Sequence, residues 1–174
     1  MSKTKDGKSQ DSISIKGMFR LQIEDGPSGR IVGDSGWKQN VITNLGFNNI
    51  VNQLGTSLTG SKIMAVALGT GGAPAVTDTV LAGEVLATGV NSVLRPALTS
   101  ATSSTSKTLR NTATFQSALS FSSTVAGVNI SNIGLWSTTG PLSTTGTLLA
   151  GNTYTSSALA TNQNVNVTYD LIFA

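Results

Sequence analysis

Two stretches, one near each end of the chain, alternate apolar and polar side chains with a period of two. Between Ser12 and Glu24, Ile13, Ile15, Phe19, Leu21 and Ile23 fall in one phase, with Gly17 among them. Ser14, Lys16, Met18, Arg20, Gln22 and Glu24 fall in the other. Near the far end, Val165, Val167, Tyr169, Leu171 and Phe173 alternate with Asn164, Asn166, Thr168 and Asp170. A period of two sends neighbouring side chains to opposite faces of a strand, so each stretch predicts a half-buried antiparallel strand. Both are long and regular, which makes them integral to a sheet rather than ragged ends.

The rest of the chain fits the same architecture. Asp25 to Gly29 supplies turn residues, and a second strand over about Arg30 to Lys38 completes a hairpin, with bulges expected at Gly33 and Gly36. One helix is predicted near residues 43–54. Thr43 or Asn44 caps it, Leu45, Phe47, Ile50, Val51 and Leu54 form its apolar stripe, and Gly55 ends it. Ile63 to Leu68 reads as a buried strand followed by a long loop through Asp78 and Leu81 to Glu84. Residues 99–106 are low-complexity Ser/Thr and read as an exposed loop tip. Leu109, Ala113, Phe115 and Leu119 share a phase. Val128 to Trp136 is a further strand whose apolar phase slips near Asn132, where a bulge is expected. Ser137 to Gly146 contains Ser-Thr-Thr-Gly twice and reads as a long hairpin loop. Thr147 to Ala150 and Tyr154 to Leu159 give two more short strands. Many short strands with regular turn signals predict a mainly β fold: an antiparallel, jelly-roll-like β-sandwich over residues 12–174 with one short helix. Residues 1–11 form an extended, flexible, charged N-terminal arm.

Composition narrows the chemistry. The 174 residues include no Cys and no His, so a Ser-His-Asp triad, a Cys-His pair, a disulfide and the usual zinc ligand sets are all excluded. Charged residues make up 11%, against about 25% in a typical soluble domain. Ser and Thr together number 46. Seven Lys/Arg and five Asp/Glu lie in residues 1–40, and no charge at all lies between Arg110 and Asp170. A net charge of +3 with no basic stripe gives no nucleic-acid footprint. The polar start lacks the apolar core of an export signal, and the longest apolar run, Ile63 to Leu68, is far below the roughly 20 residues that span a bilayer. No membrane association is expected, and synthesis in a cytosol is.

Candidate sites are few. Gly69 to Pro74 follows a strand as a phosphate-binding loop does, but no Gly-Lys-Ser/Thr follows and Pro74 stands at the third glycine of a dinucleotide motif, so it reads as a structural loop. Glu24 and Asp25 are adjacent on a strand, hence on opposite faces. Asp78 and Glu84 read as loop charges. No catalytic residue, cofactor or metal is assigned. Trp37 and Trp136 read mainly as packing residues, with sugar stacking the other possibility. The hydroxyl-rich surface stays soluble without charge and spares identical copies mutual repulsion, which suits dense packing.

The order of several segments carries a resemblance. Ile42-Thr43-Asn44-Leu45-Gly46 opens the helix. Ile63 to Pro74 is followed by Thr77-Asp78-Thr79-Val80-Leu81 and then Glu84-Val85. Ile130 to Trp136, Thr147 to Ala150 and the closing Val165 to Phe173 strand complete the series. Over about residues 40–173 this order resembles small β-rich structural proteins of tailed-bacteriophage virions. Asn132 stands where an acidic residue is common in that group, and Gly151 where an Arg often follows Leu-Leu-Ala. The resemblance implies a non-enzymatic virion component, made in the host bacterial cytoplasm. With no shaft repeat or separate receptor-binding domain, a capsid decoration or cement protein is expected. The alternatives are a tail- or fibre-associated protein and a host-surface or carbohydrate-binding module. The implied partners are the major capsid protein or other virion proteins and further copies of the chain. The charged arm then acts as a tether, and the candidate assembly contacts are Lys3, Lys5, Lys8, Lys16, Trp37 and Trp136.

Overall fold

The long alternating strands at the two ends pair with each other. In the computed structural model, which describes residues 13–55, 63–87, 92–93, 98–103, 105–115, 129–137, 146–160 and 162–174, β1 (Ile15–Asp25) lies antiparallel to β12 (Gln163–Phe173). Their register runs without a slip from Ile15 opposite Phe173 to Asp25 opposite Gln163. Phe19, Leu21 and Ile23 on one strand and Val165, Val167, Tyr169 and Leu171 on the other are all buried on the same face. Ile13 keeps the apolar phase but is 81% exposed. It lies beyond the last paired position, Ser14 with Ala174, and among the described residues meets no neighbouring strand.

Around this pair a larger sheet forms in the order β2-β1-β12-β9-β8, with β2 (Ile31–Asp34), β8 (Thr99–Ser103) and β9 (Thr108–Phe115); β3 (Lys38–Gln39) also pairs with β1. A second sheet runs β4-β11-β10-β5, with β4 (Val41–Ile42), β5 (Ile63–Gly69), β10 (Asn129–Ser137) and β11 (Thr147–Ala158). A small ribbon joins β6 (Leu86–Ala87) to β7 (Ser92–Val93). Every pairing in the two main sheets is antiparallel. The pairing is nested. The outermost strands, β1 and β12, meet in the first sheet, while β4 and β11, further inward along the chain, meet in the second.

The sheets pack face to face as a β-sandwich, and one core cluster draws Phe19, Leu21, Val167 and Tyr169 from the first together with Val66, Leu68, Ile133 and Leu135 from the second. Phe19 and Tyr154 meet across the gap edge to face, ring centroids 6.4 Å apart. The second sheet is also covered on its outer face. Ala65, Ala67, Trp136 and Leu148 form a separate cluster under Leu81, from the loop after β5. Burial on both faces explains why Ala65 to Leu68 reads as a continuous apolar run rather than an alternation.

Three expectations change in detail. The hairpin partner of β1 is two pieces, β2 and β3, because the register slips opposite Ile23/Glu24 and Gly36 turns at φ 63°. Residues 99–103 are a strand, β8, rather than a loop tip. Its register on β9 runs from Thr99 opposite Thr112 to Ser103 opposite Thr108. Thr147 to Ala158 is one strand, β11, held along its length by β10, which carries the chain across Gly151 and Asn152. Leu119 lies outside the described residues, as do residues 1–11 and most of the Ser137–Gly146 loop. The bulge near Asn132 is present, between Ile130 and Asn132.

Candidate assembly surfaces

The helix α1 (Asn44–Gly55) is capped by Thr43, whose hydroxyl accepts the Gly46 N–H at 3.0 Å. The same hydroxyl donates to the Leu148 carbonyl at 2.7 Å, which ties the helix start to β11. Gly46 then docks against that strand. A Cβ built at Gly46 would lie 2.1 Å from the Leu149 carbonyl oxygen, so only glycine permits this approach. Docking through Gly46 decides which way the helix faces. Ile50 and Leu45 are half-buried, whereas Phe47 is 46%, Val51 64% and Leu54 82% exposed. The expected apolar stripe is therefore split, and three of its five members point away from the sandwich. Phe47, Val51 and Leu54 follow the spacing that stacks side chains on one helix face. Beside the C-terminal half of α1 lies an apolar cleft of about 310 Å³, lined by Ile50, Leu54, Ile63, Leu109, Leu171 and Phe173 among others.

The outer face of the first sheet holds the other candidate contacts. Arg110 and Asp170, the two charges that bracket the uncharged stretch, are partners. The Arg110 Nε donates to Asp170 Oδ1 at 2.8 Å and Nη2 to Oδ2 at 2.7 Å, a bidentate pair. The carboxylate raises the guanidinium pKa further above its ordinary value, by hydrogen bonding first and charge second. The Arg110 guanidinium carbon sits 5.7 Å from the centroid of Trp37. Trp37 is 43% exposed. Lys16 is exposed on the same face, opposite Ile172. Trp136 is a correction. It is 2% exposed, in the cluster under Leu81, and reaches no partner surface. Its strand is covered on both faces, which one-dimensional spacing did not reveal. Lys3, Lys5 and Lys8 lie outside the described residues.

A second ion pair braces the β2 edge. Arg20 contacts Asp34 through two guanidinium nitrogens, one of them Nε at 3.0 Å. Asp34 also accepts the Gly36 N–H at 2.9 Å. The Arg20 hydrogen bond, then that N–H, hold the Asp34 carboxyl well below the usual carboxylate range.

The loop after β5 has its own backbone closure. Thr70 N–H donates to the Gly83 carbonyl at 3.0 Å and Gly71 N–H to Ala82 at 3.1 Å. These are N–H groups that a phosphate loop offers to its ligand. Asn132, at the bulge, donates its amide to the carbonyls of Gly72 at 3.0 Å and Ala82 at 2.9 Å. A carboxylate there would face two carbonyl oxygens and could donate to neither, so asparagine at this position suits the loop it holds. Asp78 accepts the Ala75 N–H at 2.9 Å. Glu24 accepts from Asn166 at 2.7 Å, and Asp25 from Asn162 at 2.8 Å. Each of these three carboxylates fastens a turn or a strand pair. Among the described residues, no three of His, Cys, Asp or Glu come together in a metal-holding group, and no helix is long and apolar enough to cross a membrane.

Sequence reasoning missed the outward turn of α1 and the Arg110–Asp170 pair. The pair follows from the register of β9 on β12, which sets Arg110 opposite Asp170 and which spacing along the chain does not show. The helix had no signal in its periodicity, because the deciding residue is Gly46. No protein-family model, no curated protein and no solved structure matches this chain.

Proposed function

We propose that this chain is a non-enzymatic structural component of a tailed-phage virion, and specifically a capsid decoration or cement protein that binds the major capsid protein or another virion protein. The observation that carries the reading is the free face of α1. Phe47, Val51 and Leu54 stand exposed on a helix whose opposite side is clamped to β11. Contiguous exposed apolar surface on a soluble protein marks a contact surface. Covering it would contribute roughly 1.5–3 kcal/mol for each side chain that becomes fully buried. Two further features support the reading. The segment order over residues 40–173 resembles small virion proteins, and the β8–β9 end of the outer face of the first sheet is Thr-rich, with its Arg110 paired to Asp170. Thr99, Thr112 and Thr168 stand in register across three strands there. A lattice multiplies weak contacts of this kind into firm attachment.

A tail- or fibre-associated role uses the same surface at a different place on the particle. The carbohydrate-binding reading now has only Trp37 as its surface aromatic of the two, and that ring already faces Arg110. Quantitative mass spectrometry of purified particles tests the proposal. A copy number comparable with the major capsid protein is expected. A few copies per particle would move the protein to the tail, and absence from particles would overturn the reading.

A further inference from the structure

We infer that two copies of this chain associate by pairing their β8 strands edge to edge about a two-fold axis at Ala101, which makes the two six-stranded sheets continuous. This stands independently of the virion reading. β8 is the terminal strand of its sheet. Among the described residues no strand pairs with its second edge, and all five of its residues are exposed. Natural sheets guard such an edge with Lys, Pro, a bulge or a cover, because its free N–H and C=O groups are a template for another strand. The β8 sequence, Thr-Ser-Ala-Thr-Ser, has no such guard, and its register on β9 is regular throughout.

The partner that fits is a second copy, because β8 is self-complementary. An antiparallel pairing centred on Ala101 sets Thr99 opposite the partner's Ser103, Ser100 opposite the partner's Thr102, and Ala101 opposite the partner's Ala101. Every outer pair then sets hydroxyl against hydroxyl, which hydrogen-bonds across strands and opposes no like charges. A two-fold interface uses the same patch on both subunits, and this patch satisfies that condition residue by residue. The nearest charge in the row is Arg110, in register with Ala101 and already paired with Asp170. At about 4.8 Å per strand the two Arg110 positions lie about 14 Å apart, beyond the roughly 8 Å screening length at physiological salt. The opposite edge serves less well. β2 is four residues long, its register slips, and Arg20 and Asp34 are bound together beside it.

A five-residue edge is small, so the expected affinity is weak, about 10–100 μM, in keeping with interfaces below about 1,200 Å². The test is sedimentation velocity of the full chain over roughly 10 μM to 1 mM, a range that brackets that affinity. Three samples are compared with wild type: Ala101→Lys, Ala101→Glu, and the two mixed. Circular dichroism confirms that each variant is folded. A wild-type dimer, a loss of at least about tenfold in affinity in each variant from opposed like charges, and recovery of the dimer on mixing are expected. A monomer across the whole range overturns the inference. A dimer that neither substitution weakens places the contact elsewhere, with the α1 face the first alternative, and also overturns it. Two monomeric variants that stay monomeric when mixed overturn the Ala101-centred register.

Discussion

In β12, Val165, Val167, Tyr169 and Leu171 share one face and all four are buried. In α1, Phe47, Ile50, Val51 and Leu54 follow an approximate helical spacing with Leu45 off it, yet Phe47, Val51 and Leu54 face outward. The difference lies in what holds each element. β12 has β1 on one side and β9 on the other, so its register is fixed twice and its apolar phase must meet the second sheet. α1 has twelve residues and is fastened at its start, by Thr43 and Gly46 on β11 and by the Asn44 N–H on the Val76 carbonyl at 2.8 Å. A close backbone approach at one glycine outweighs the pattern of the larger side chains. Apolar periodicity therefore reports burial in the strand but not in the helix, where Phe47, Val51 and Leu54 stay exposed.

The strand and the helix should respond differently to substitution. Val167→Asp places a carboxylate on the fully enclosed face of β12, and a loss of more than about 4 kcal/mol, or failure to fold, is expected in urea denaturation. In α1, an alanine replacing glycine in a helix interior ordinarily gains about 1 kcal/mol. Gly46→Ala is expected to reverse that sign and destabilise by about 2–3 kcal/mol, because its Cβ meets the Leu149 carbonyl. A gain in stability would show that docking does not depend on this contact. Asn132→Asp removes both amide donors from the Gly72 and Ala82 carbonyls, and a cost of about 1–3 kcal/mol is expected, with faster proteolysis of the loop after β5 as a second readout. Leu54→Ser on the free face of α1 should change stability by no more than about 0.5 kcal/mol.

The smallest effect concerns Asp34. Its folded carboxyl is held below the ordinary range, so its pairing with Arg20 stabilises the fold above the ordinary carboxylate pKa. That contribution fades as pH falls from there through the lower folded value. Because the pair is largely solvated, it is screened, and melting curves of wild type and Asp34→Asn should differ little near neutrality and converge in acid.

Much of the sandwich was legible in the chain because β1 and β12 alternate over their whole length. The bulge at Asn132 was legible too, since one extra residue shifts the apolar phase. β8 was not, because Thr-Ser-Ala-Thr-Ser has no apolar phase to read. What orders it is backbone pairing with β9, while Ser and Thr alone look like a loop. β11 was split in two because Gly151 and Asn152 interrupt its apolar residues, although β10 runs alongside both halves. Of the candidate contacts, Lys16 and Trp37 are at the surface and Trp136 is in the core. Burial on both faces of β10 depends on a loop some 50 residues earlier in the chain, held there by Asn132.

The proposed contact role of the free face of α1 can be tested directly. Its most direct test is co-sedimentation of the triple variant Phe47→Ser, Val51→Ser, Leu54→Ser with particles that lack the wild-type protein. A variant that folds and melts like wild type but no longer sediments with the particles is expected. Undiminished binding by a folded variant would contradict that role.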